Sequence, residues 1–360
     1  MQSKKILFIS AFPPCQKTAG QDYTRRLIND LVEKKYDVSI IYAEYSGHEI
    51  ELPAKVKVID VIKPSLKNCC TKIMFHPFFT KRFDKKILNK INSISKDFDM
   101  LYFDFSQVHL YAKYIKHPFK VLMCHDVICQ KFSRKGFLQL PFIKKSEGEL
   151  LKYANWIITF SDKDSKVIEN TYKLASKPVN FYLKNGHYQY KEITLYKNTF
   201  CFYGAWNREE NIECLDWFLK NIYTYINSAV EFLVIGGGMS SDFQNKLNSF
   251  KNIKYLGFVG DPIFEISKCQ ALIAPLRKGA GVKVKVIDAL SSGTPVIGSS
   301  VAFEGILDNP NCKLFNQFET PEEYIQAINN WINIKVDFKQ QAADEFFTRY
   351  DVNHFTDLLK

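Results

Sequence analysis

Between Pro275 and Ser300 the chain reads PLRKGAGVKVKVIDALSSGTPVIGSS. Lys283 and Lys285 stand on alternate residues, Asp288 follows three positions later, and Gly279 and Gly281 lie just upstream. Glycines in such a loop free backbone amides to approach an anion. If VKVIDALSSG is a helix, Lys285 and Asp288 share a face and Lys283 lies near the helix start. Cations at a helix N-terminus oppose its dipole. They make sense there if a polyanion such as a diphosphate binds between them, with the carboxylate accepting hydrogen bonds from a sugar hydroxyl. The competing reading is a strand with alternating lysines on a solvated face. Gly293-Thr294-Pro295, which ends one element and opens a buried strand, argues against it.

Two further kinds of residue point to a ligand. His125 and Asp126 follow the apolar run VLMC, where a strand would end. In an open α/β sheet the carboxyl ends of the strands line the ligand crevice, and a histidine there can donate a hydrogen bond or accept a proton. A solvated loop histidine is the plainer alternative. Gly20, Gly204 and the triplet Gly236 to Gly238 each follow a strand-like run, a place where backbone amides and a helix N-terminus meet an anion. Tight turns need glycine regardless, so each alone says little. G-x-G-x-x-G and G-x-x-x-x-G-K-[ST] are both absent, which removes the standard dinucleotide and P-loop fingerprints.

The elements that position these residues are α/β in both halves. KKILFISAFPP, DVSIIYA, VKVIDVI, MLYFDF, KVLMCHD and WIITFS read as strands buried on both faces of a parallel sheet, with helical stretches between several of them. A second series follows: TFCFYGAW, EFLVIGGG, IKYLGFV, ALIAPL and TPVIGSS, with helices at IECLDWFLKNIYTYI and PEEYIQAINNWI. A length of 360 residues fits two domains. The polar, turn-rich NGHYQYKEITLYKN at 185–198 marks the boundary, and AADEFFTRYDVNHFTDLLK reads as a terminal helix. Nine cysteines without CxxC or paired ligand spacing fit reduced, mostly buried thiols in a cytosolic protein, and neither zinc nor a disulfide framework. No apolar run is long enough to span a bilayer.

Charge divides unevenly. Residues 1–197 hold 34 Lys and Arg against 19 Asp and Glu, and residues 198–360 hold 15 against 19. The first half therefore faces something anionic: a membrane surface, a phosphorylated acceptor or nucleic acid. Two stretches there, CCTKIMFHPFFTKRFDKK and CQKFSRKGFLQLPFIKK, mix cations with Phe, Leu and Ile that would enter a membrane interface. A solvated face over core aromatics is the alternative.

Taken in order, these segments resemble the retaining glycosyltransferases of the GT-B fold, family 4. FYGAWNREENIECLDWFLKNI resembles the family's opening of the second domain, VIGGG its second glycine turn, and YLGFVGD the segment that contacts the base. GVKVKVIDALSSGTPVIGS resembles the signature G-x-R-x-K-x-x-E-A-x-x-x-G-x-P-V, and YANWIITFSDKD and LKNGH resemble landmarks of the first half. The resemblance covers nearly the whole chain. It implies two Rossmann-like α/β domains with parallel sheets facing a central cleft: an acceptor domain at 1–190, a nucleotide-sugar domain at 191–345, and a C-terminal helix at 346–360 crossing back to the first domain. The implied reaction moves a sugar from a nucleotide-sugar to a saccharide or lipid-linked acceptor, with retention and no metal or other cofactor. The implied setting is surface polysaccharide or glycoconjugate synthesis, in the cytoplasm or on the inner membrane face, and nucleic acid is no longer an expected partner.

The resemblance also implies roles. Gly279 and Gly281 give amides to the diphosphate, Lys283 and Lys285 neutralise it, and Asp288 holds a ribose hydroxyl. Val259 meets the base, Gly20 sits over the diphosphate, Gly204 and Gly236 line the donor site, and His125 meets the sugar. The sequence departs from the family in three places. Asp288 replaces the usual Glu, Ala280 replaces a second Glu, and the usual Arg and Lys of the second domain fall at Ala205 and Glu210, leaving phosphate binding to Arg208, Lys283 and Lys285. Two other readings stand beside a transferase: a nucleotide-sugar 2-epimerase of the same fold, and an inactive subunit that only binds a partner.

Overall fold

Runs such as KILFIS and MLYFD leave no polar face for solvent, so each strand must be covered on both sides. The computed structural model describes residues 3–359 apart from 71, 135, 137, 182–193, 280, 307–313, 333–336 and 351–353. Most of the expected boundary stretch, and Ala280, lie outside the described residues. The chain divides into two compact units, Met1–Gly186 with Asn353–Lys360, and His187–Val352.

The first unit is built on seven parallel strands: β1 (Lys5–Ser10), β2 (Asp37–Ala43), β3 (Lys57–Ile62), β4 (Met100–Asp104), β5 (Lys120–Cys124), β6 (Trp156–Thr159) and β7 (Lys177–Pro178). Their order is β3-β2-β1-β4-β5-β6-β7. The chain runs outward from β1 to one edge, then returns to β4 on its other side, so the strand order reverses between β1 and β4. A crevice forms at such a point because the connections leave in opposite directions. The helices are α1 (Ala19–Glu33), α2 (Lys67–Cys70), α3 (Pro77–Thr80), α4 (Lys85–Ile94), α5 (Leu110–Tyr114), α6 (Ile128–Ser133), α7 (Leu140–Leu151) and α8 (Asp162–Tyr172). Thr18 caps α1 and Ser161 caps α8, each side chain accepting a backbone N–H of the first turn. A 3-10 turn, Phe355–Leu359, also belongs here: the Phe355 ring lies 5.0 Å from that of Tyr102.

The basic, aromatic stretches of this unit fold differently from the expectation that their phenylalanines enter an interface. Phe75, Phe79 and Phe83 are buried, and Phe78 and Phe132 pack against the same core. Large rings gain most by leaving water, and here the sheet offers them a core. Lys72 lies over the Tyr114 ring at 4.1 Å.

The second unit has six parallel strands, β8 (Thr199–Tyr203), β9 (Glu231–Ile235), β10 (Ile253–Gly257), β11 (Ala271–Ala274), β12 (Val296–Gly298) and β13 (Phe315–Gln317), in the order β10-β9-β8-β11-β12-β13. The reversal falls between β8 and β11. Among the described residues the unit's helices are α9 (Glu209–Asn221), α10 (Ser241–Leu247), α11 (Pro262–Ser267), α12 (Val284–Ser291), α13 (Pro321–Asn330) and α14 (Lys339–Tyr350). A capping box of Thr320 and Glu323 starts α13.

The first residue of α14 fastens that helix to the amino ends of β11 and β12. Lys339 is 1% exposed and donates to the carbonyls of Ser267 (2.6 Å) and Cys269 (2.7 Å) and to Thr294 Oγ1 (3.1 Å). Burial without a carboxylate pulls its pKa from 10.5 down to about 8. Between those values the unfolded chain holds the proton and the folded chain has released it, so stability rises with pH across the window. Urea unfolding of wild type and Lys339→Met from pH 7.5 to 10.5 should show wild type gaining up to about 3 kcal/mol relative to the variant. Parallel curves would contradict this.

Candidate functional site

Each unit gathers its chemistry at its own point of strand reversal. In the first unit Asp104 closes β4 beside Ser10 of β1. It is 1% exposed; Oδ2 accepts from Ser10 Oγ (3.0 Å) and Thr24 Oγ1 (2.7 Å), while Oδ1 lies 2.8 Å from His125 Nε2. A carboxylate can only accept, so Nε2 donates to Asp104 and Nδ1 is the ring nitrogen turned away from it. No protein partner lies on Nδ1 among the described residues.

The imidazole is held on three sides by rings. Phe105 stacks on it at 3.6 Å and 12°, and Phe160 and Tyr23 meet it edge-on at 5.0 and 6.0 Å. Phe105 reaches that position with φ 65° and ψ 143°, a positive-φ backbone outside the left-handed helical region that costs a non-glycine residue about 1–3 kcal/mol. Gly20, in the first turn of α1, closes the fourth side. A Cβ there would stand 3.0 Å from His125 Nδ1 and 3.0 Å from the Phe105 ring. The glycine thus leaves Nδ1 room. Behind the histidine, buried Glu147 accepts the backbone N–H groups of Ile128 (2.7 Å) and Cys129 (2.9 Å) and the Tyr172 hydroxyl (2.6 Å), fixing the turn into α6. Burial raises its carboxyl pKa. Asp126 pairs with Lys131 at 2.6 Å. His109 is also buried, its pKa lowered to about 4 by burial, and bonds to the Met123 carbonyl at 3.2 Å, a structural role.

In the second unit the turns after β8 and β9 meet at backbone distance. Gly236 has a φ of 111°, and a Cβ on it would fall 2.0 Å from the Gly204 carbonyl oxygen. Asn211 on α9 donates to the Ala205 carbonyl at 2.8 Å, and its Oδ1 accepts from Lys285 Nζ at 2.7 Å. Lys285 lies in the first turn of α12 and forms no ion pair with a carboxylate among the described residues. Burial lowers its pKa; Arg208 nearby acts in the same direction, while Cys214 and Glu210 oppose. Arg208 itself is exposed, at the start of α9, where no side chain caps the helix.

The loop between β11 and α12 carries Gly279 and Gly281 with φ of 128° and 68°. Lys283 is the N-cap of α12 but supplies no side-chain cap; its carbonyl accepts from the Val286 (2.9 Å) and Ile287 (3.3 Å) amides, and the Val284 and Lys285 amides have no intrahelical acceptor. Lys283 Nζ donates to the Gly281 carbonyl at 2.6 Å and lies 3.8 Å from Glu304. Asp288, one turn further along α12, is buried. Val259 is partly buried in the turn after β10.

The residues singled out in the sequence thus separate by unit: Gly20 and His125 in the first; Gly204, Arg208, Gly236, Val259, Gly279, Gly281, Lys283, Lys285 and Asp288 in the second. Gly20, expected over a diphosphate, packs against His125. Asp104 and Asn211 were missed. Asp104 ends the run MLYFD next to the first strand, a place where a buried acid needs a partner. Asn211 was given no role, although an Asn before the amphipathic helix is part of the pattern that FYGAWNREENIECLDWFLKNI resembles. Among the described residues no group of three His, Cys, Asp or Glu could hold a metal ion.

Residues 197–333 match the family model described as Glycosyl transferases group 1. No curated protein matches the chain. Solved structures share its architecture along nearly the whole length. TarM of S. aureus, in complex with fondaparinux, alpha-GlcNAc-glycerol and UDP, is 12% identical with a TM-score of 0.71, over 96% of this chain and 97% of that one. HepE of Anabaena, in complex with UDP, is 12% identical with a TM-score of 0.66, over 96% and 95%. WaaG, a glycosyltransferase involved in lipopolysaccharide biosynthesis, is 13% identical with a TM-score of 0.66, over 96% and 95%. The chain has two parallel-sheet α/β domains of the GT-B type, as its resemblance implied.

The contact between the two glycine turns gives a sharp contrast. Gly236→Ala should lower unfolding free energy by about 3 kcal/mol or more, because both its φ and its neighbour oppose a side chain. Gly237→Ala, whose Cβ would meet only Phe258 Cβ at 3.5 Å, should cost no more than about 1 kcal/mol. Thermal melting of both variants measures this; equal losses would contradict the assignment.

Proposed function

We propose that this protein is a glycosyltransferase that moves a sugar from a nucleotide-sugar to a saccharide or lipid-linked saccharide acceptor, with retention and without a metal ion. The observation that carries the reading is Lys285, drawn partly out of water onto a neutral amide beside an uncapped helix start and Arg208. An arrangement of cations and free amides is complementary to a diphosphate. The family match over 197–333 and the fold shared with UDP-bound proteins support the same conclusion.

In the reaction the bond from the sugar C1 to the diphosphate oxygen breaks and a bond from C1 to the acceptor oxygen forms. The acceptor hydroxyl passes its proton to the departing diphosphate oxygen, on which negative charge develops as the C1–O bond breaks. Lys285, Lys283 and Arg208 stabilise that charge, with the amides at Gly279, Gly281 and the start of α12. Fixed donors of this kind act where charge develops and need no rearrangement. Asp288 accepts from a ribose hydroxyl, and the backbone at Val259 meets the base. His125, oriented by Asp104 and Phe105, accepts a hydrogen bond from a sugar hydroxyl through Nδ1. The product belongs to surface polysaccharide or glycoconjugate synthesis.

Incubation with a panel of nucleotide-sugars should release free nucleoside diphosphate in the presence of an acceptor extract. An isomerised donor would instead mark an epimerase, and neither product a binding subunit. His125→Ala should lower turnover roughly 10²-fold while leaving nucleoside diphosphate affinity within about twofold. Parallel loss of affinity, turnover and melting temperature would make His125 structural and overturn its assignment.

A further inference from the structure

Along the carboxyl edge of the first sheet, aromatic rings follow the order of the strands. The turn after β2 brings Tyr45 and His48, with ring centroids 4.7 Å apart. Tyr45 meets Phe12, which follows β1, at 5.7 Å, and Phe12 meets Phe105, which follows β4, at 5.0 Å. Phe105 in turn stacks on His125, after β5. None of the five rings is fully buried, and Tyr45 is 51% exposed. The row crosses the point of strand reversal between β1 and β4, where a crevice opens.

One cation is fixed against this row. The Arg82 guanidinium lies over the Phe12 ring at 4.6 Å, and its Nε donates to the Ala11 carbonyl at 2.9 Å. The Tyr111 hydroxyl donates to the Arg82 carbonyl at 2.8 Å and accepts the Asp84 N–H at 2.8 Å, which fixes the backbone there. The Asp84 carboxylate is turned to the start of α4, where it accepts the Lys86 N–H at 2.7 Å. Among the described residues Arg82 pairs with no carboxylate, and its two terminal nitrogens have no acceptor. Burial lowers its pKa, and nearby Tyr45 opposes this. A brace for the loop at Ala11 would need Nε alone.

We propose that Arg82 selects an acidic saccharide as acceptor: the rings from Tyr45 to Phe105 cover the sugar, and the terminal N–H groups of Arg82 hold a carboxylate or phosphate that the sugar carries. A neutral sugar would use the rings and leave the guanidinium unmatched. A bare anion would match the guanidinium and leave the rings in water. An acidic sugar answers both, since ligand sites pair aromatic walls with a few placed polar groups, and a planar fork fits either acid. The proposal rests on the transferase reading, in which the first unit receives the acceptor, and deepens it by naming the class of acceptor. Its test needs neither nucleotide nor turnover. An Arg82-dependent preference for acids in a protein that transfers no sugar would sink only that reading, and sugar transfer without any such preference only this one.

The test is saturation-transfer NMR of the full chain with glucose, glucuronate and glucose 6-phosphate, each titrated alone. At least one acid is expected to bind about tenfold or more tightly than glucose. Glucuronate ahead would mark a carboxylate on the acceptor, and glucose 6-phosphate ahead a phosphate. Arg82→Gln should bring both acids to within about twofold of glucose, at a melting temperature near wild type. Should that variant melt early, Arg82→Lys, whose single ammonium lacks the planar fork, should still cut the preference at least about threefold. Tyr45→Ala, at an exposed position, should weaken all three sugars by about threefold. No binding, equal binding of acids and glucose, sugar binding that Tyr45→Ala leaves unchanged, or an acid preference that the Arg82 variants leave unchanged would each overturn the proposal. The last result would place the anion on other cations.

Discussion

A lysine ammonium drawn from water onto a neutral amide, with no carboxylate in ion-pair contact among the described residues, is the constraint on which the second unit turns. Withdrawing a cation from water costs free energy that a carboxylate normally offsets. Here Asn211 takes Lys285 at 2.7 Å and Arg208 adds repulsion. The amides at the start of α12 have no side-chain cap. Each of these features costs free energy on its own and would be offset by the diphosphate that the proposed function places there. Local rules are broken at this place while the surrounding sheet obeys them, the pattern expected of a functional site.

The first unit shows the opposite device. Asp104 is buried but satisfied by Ser10, Thr24 and His125. Its role is to fix one tautomer and one orientation of an imidazole that three rings already confine. The strain stored at Phe105 is small and local, and it sets the stacked ring under the histidine. Preorganisation of this sort removes reorientation from a chemical step. The first unit thus holds one oriented imidazole, and the second gathers cations around Asn211.

Much of this was legible in the chain itself. Continuous apolar runs reveal parallel strands because such strands are covered on both faces. Glycines at strand ends reveal turns because only glycine fits a φ such as the 111° of Gly236. Lys285 and Asp288 could be placed on a helix, with Lys283 at its start, because Gly293-Thr294-Pro295 ends one element and opens a buried strand. Other features were hidden because they depend on tertiary contact. Asp104 and His125 lie 21 residues apart, and nothing local links them. The inward turn of Phe75, Phe79 and Phe83 follows from a core that the periodicity of those short segments does not show. Gly20 read as a phosphate-binding glycine, and its closeness to His125 and Phe105, where a Cβ would stand 3.0 Å from each, was not visible in the sequence.

The measurement that bears most directly on the account is isothermal titration of the protein with UDP, GDP and ADP in a chelator. One of these nucleotides is expected to bind with a stoichiometry of one, with affinity falling as salt rises and falling at least about tenfold in Lys285→Ala. Absence of binding by all three, or undiminished affinity in a folded Lys285→Ala variant, would contradict the claim that this uncompensated charge is built for a diphosphate.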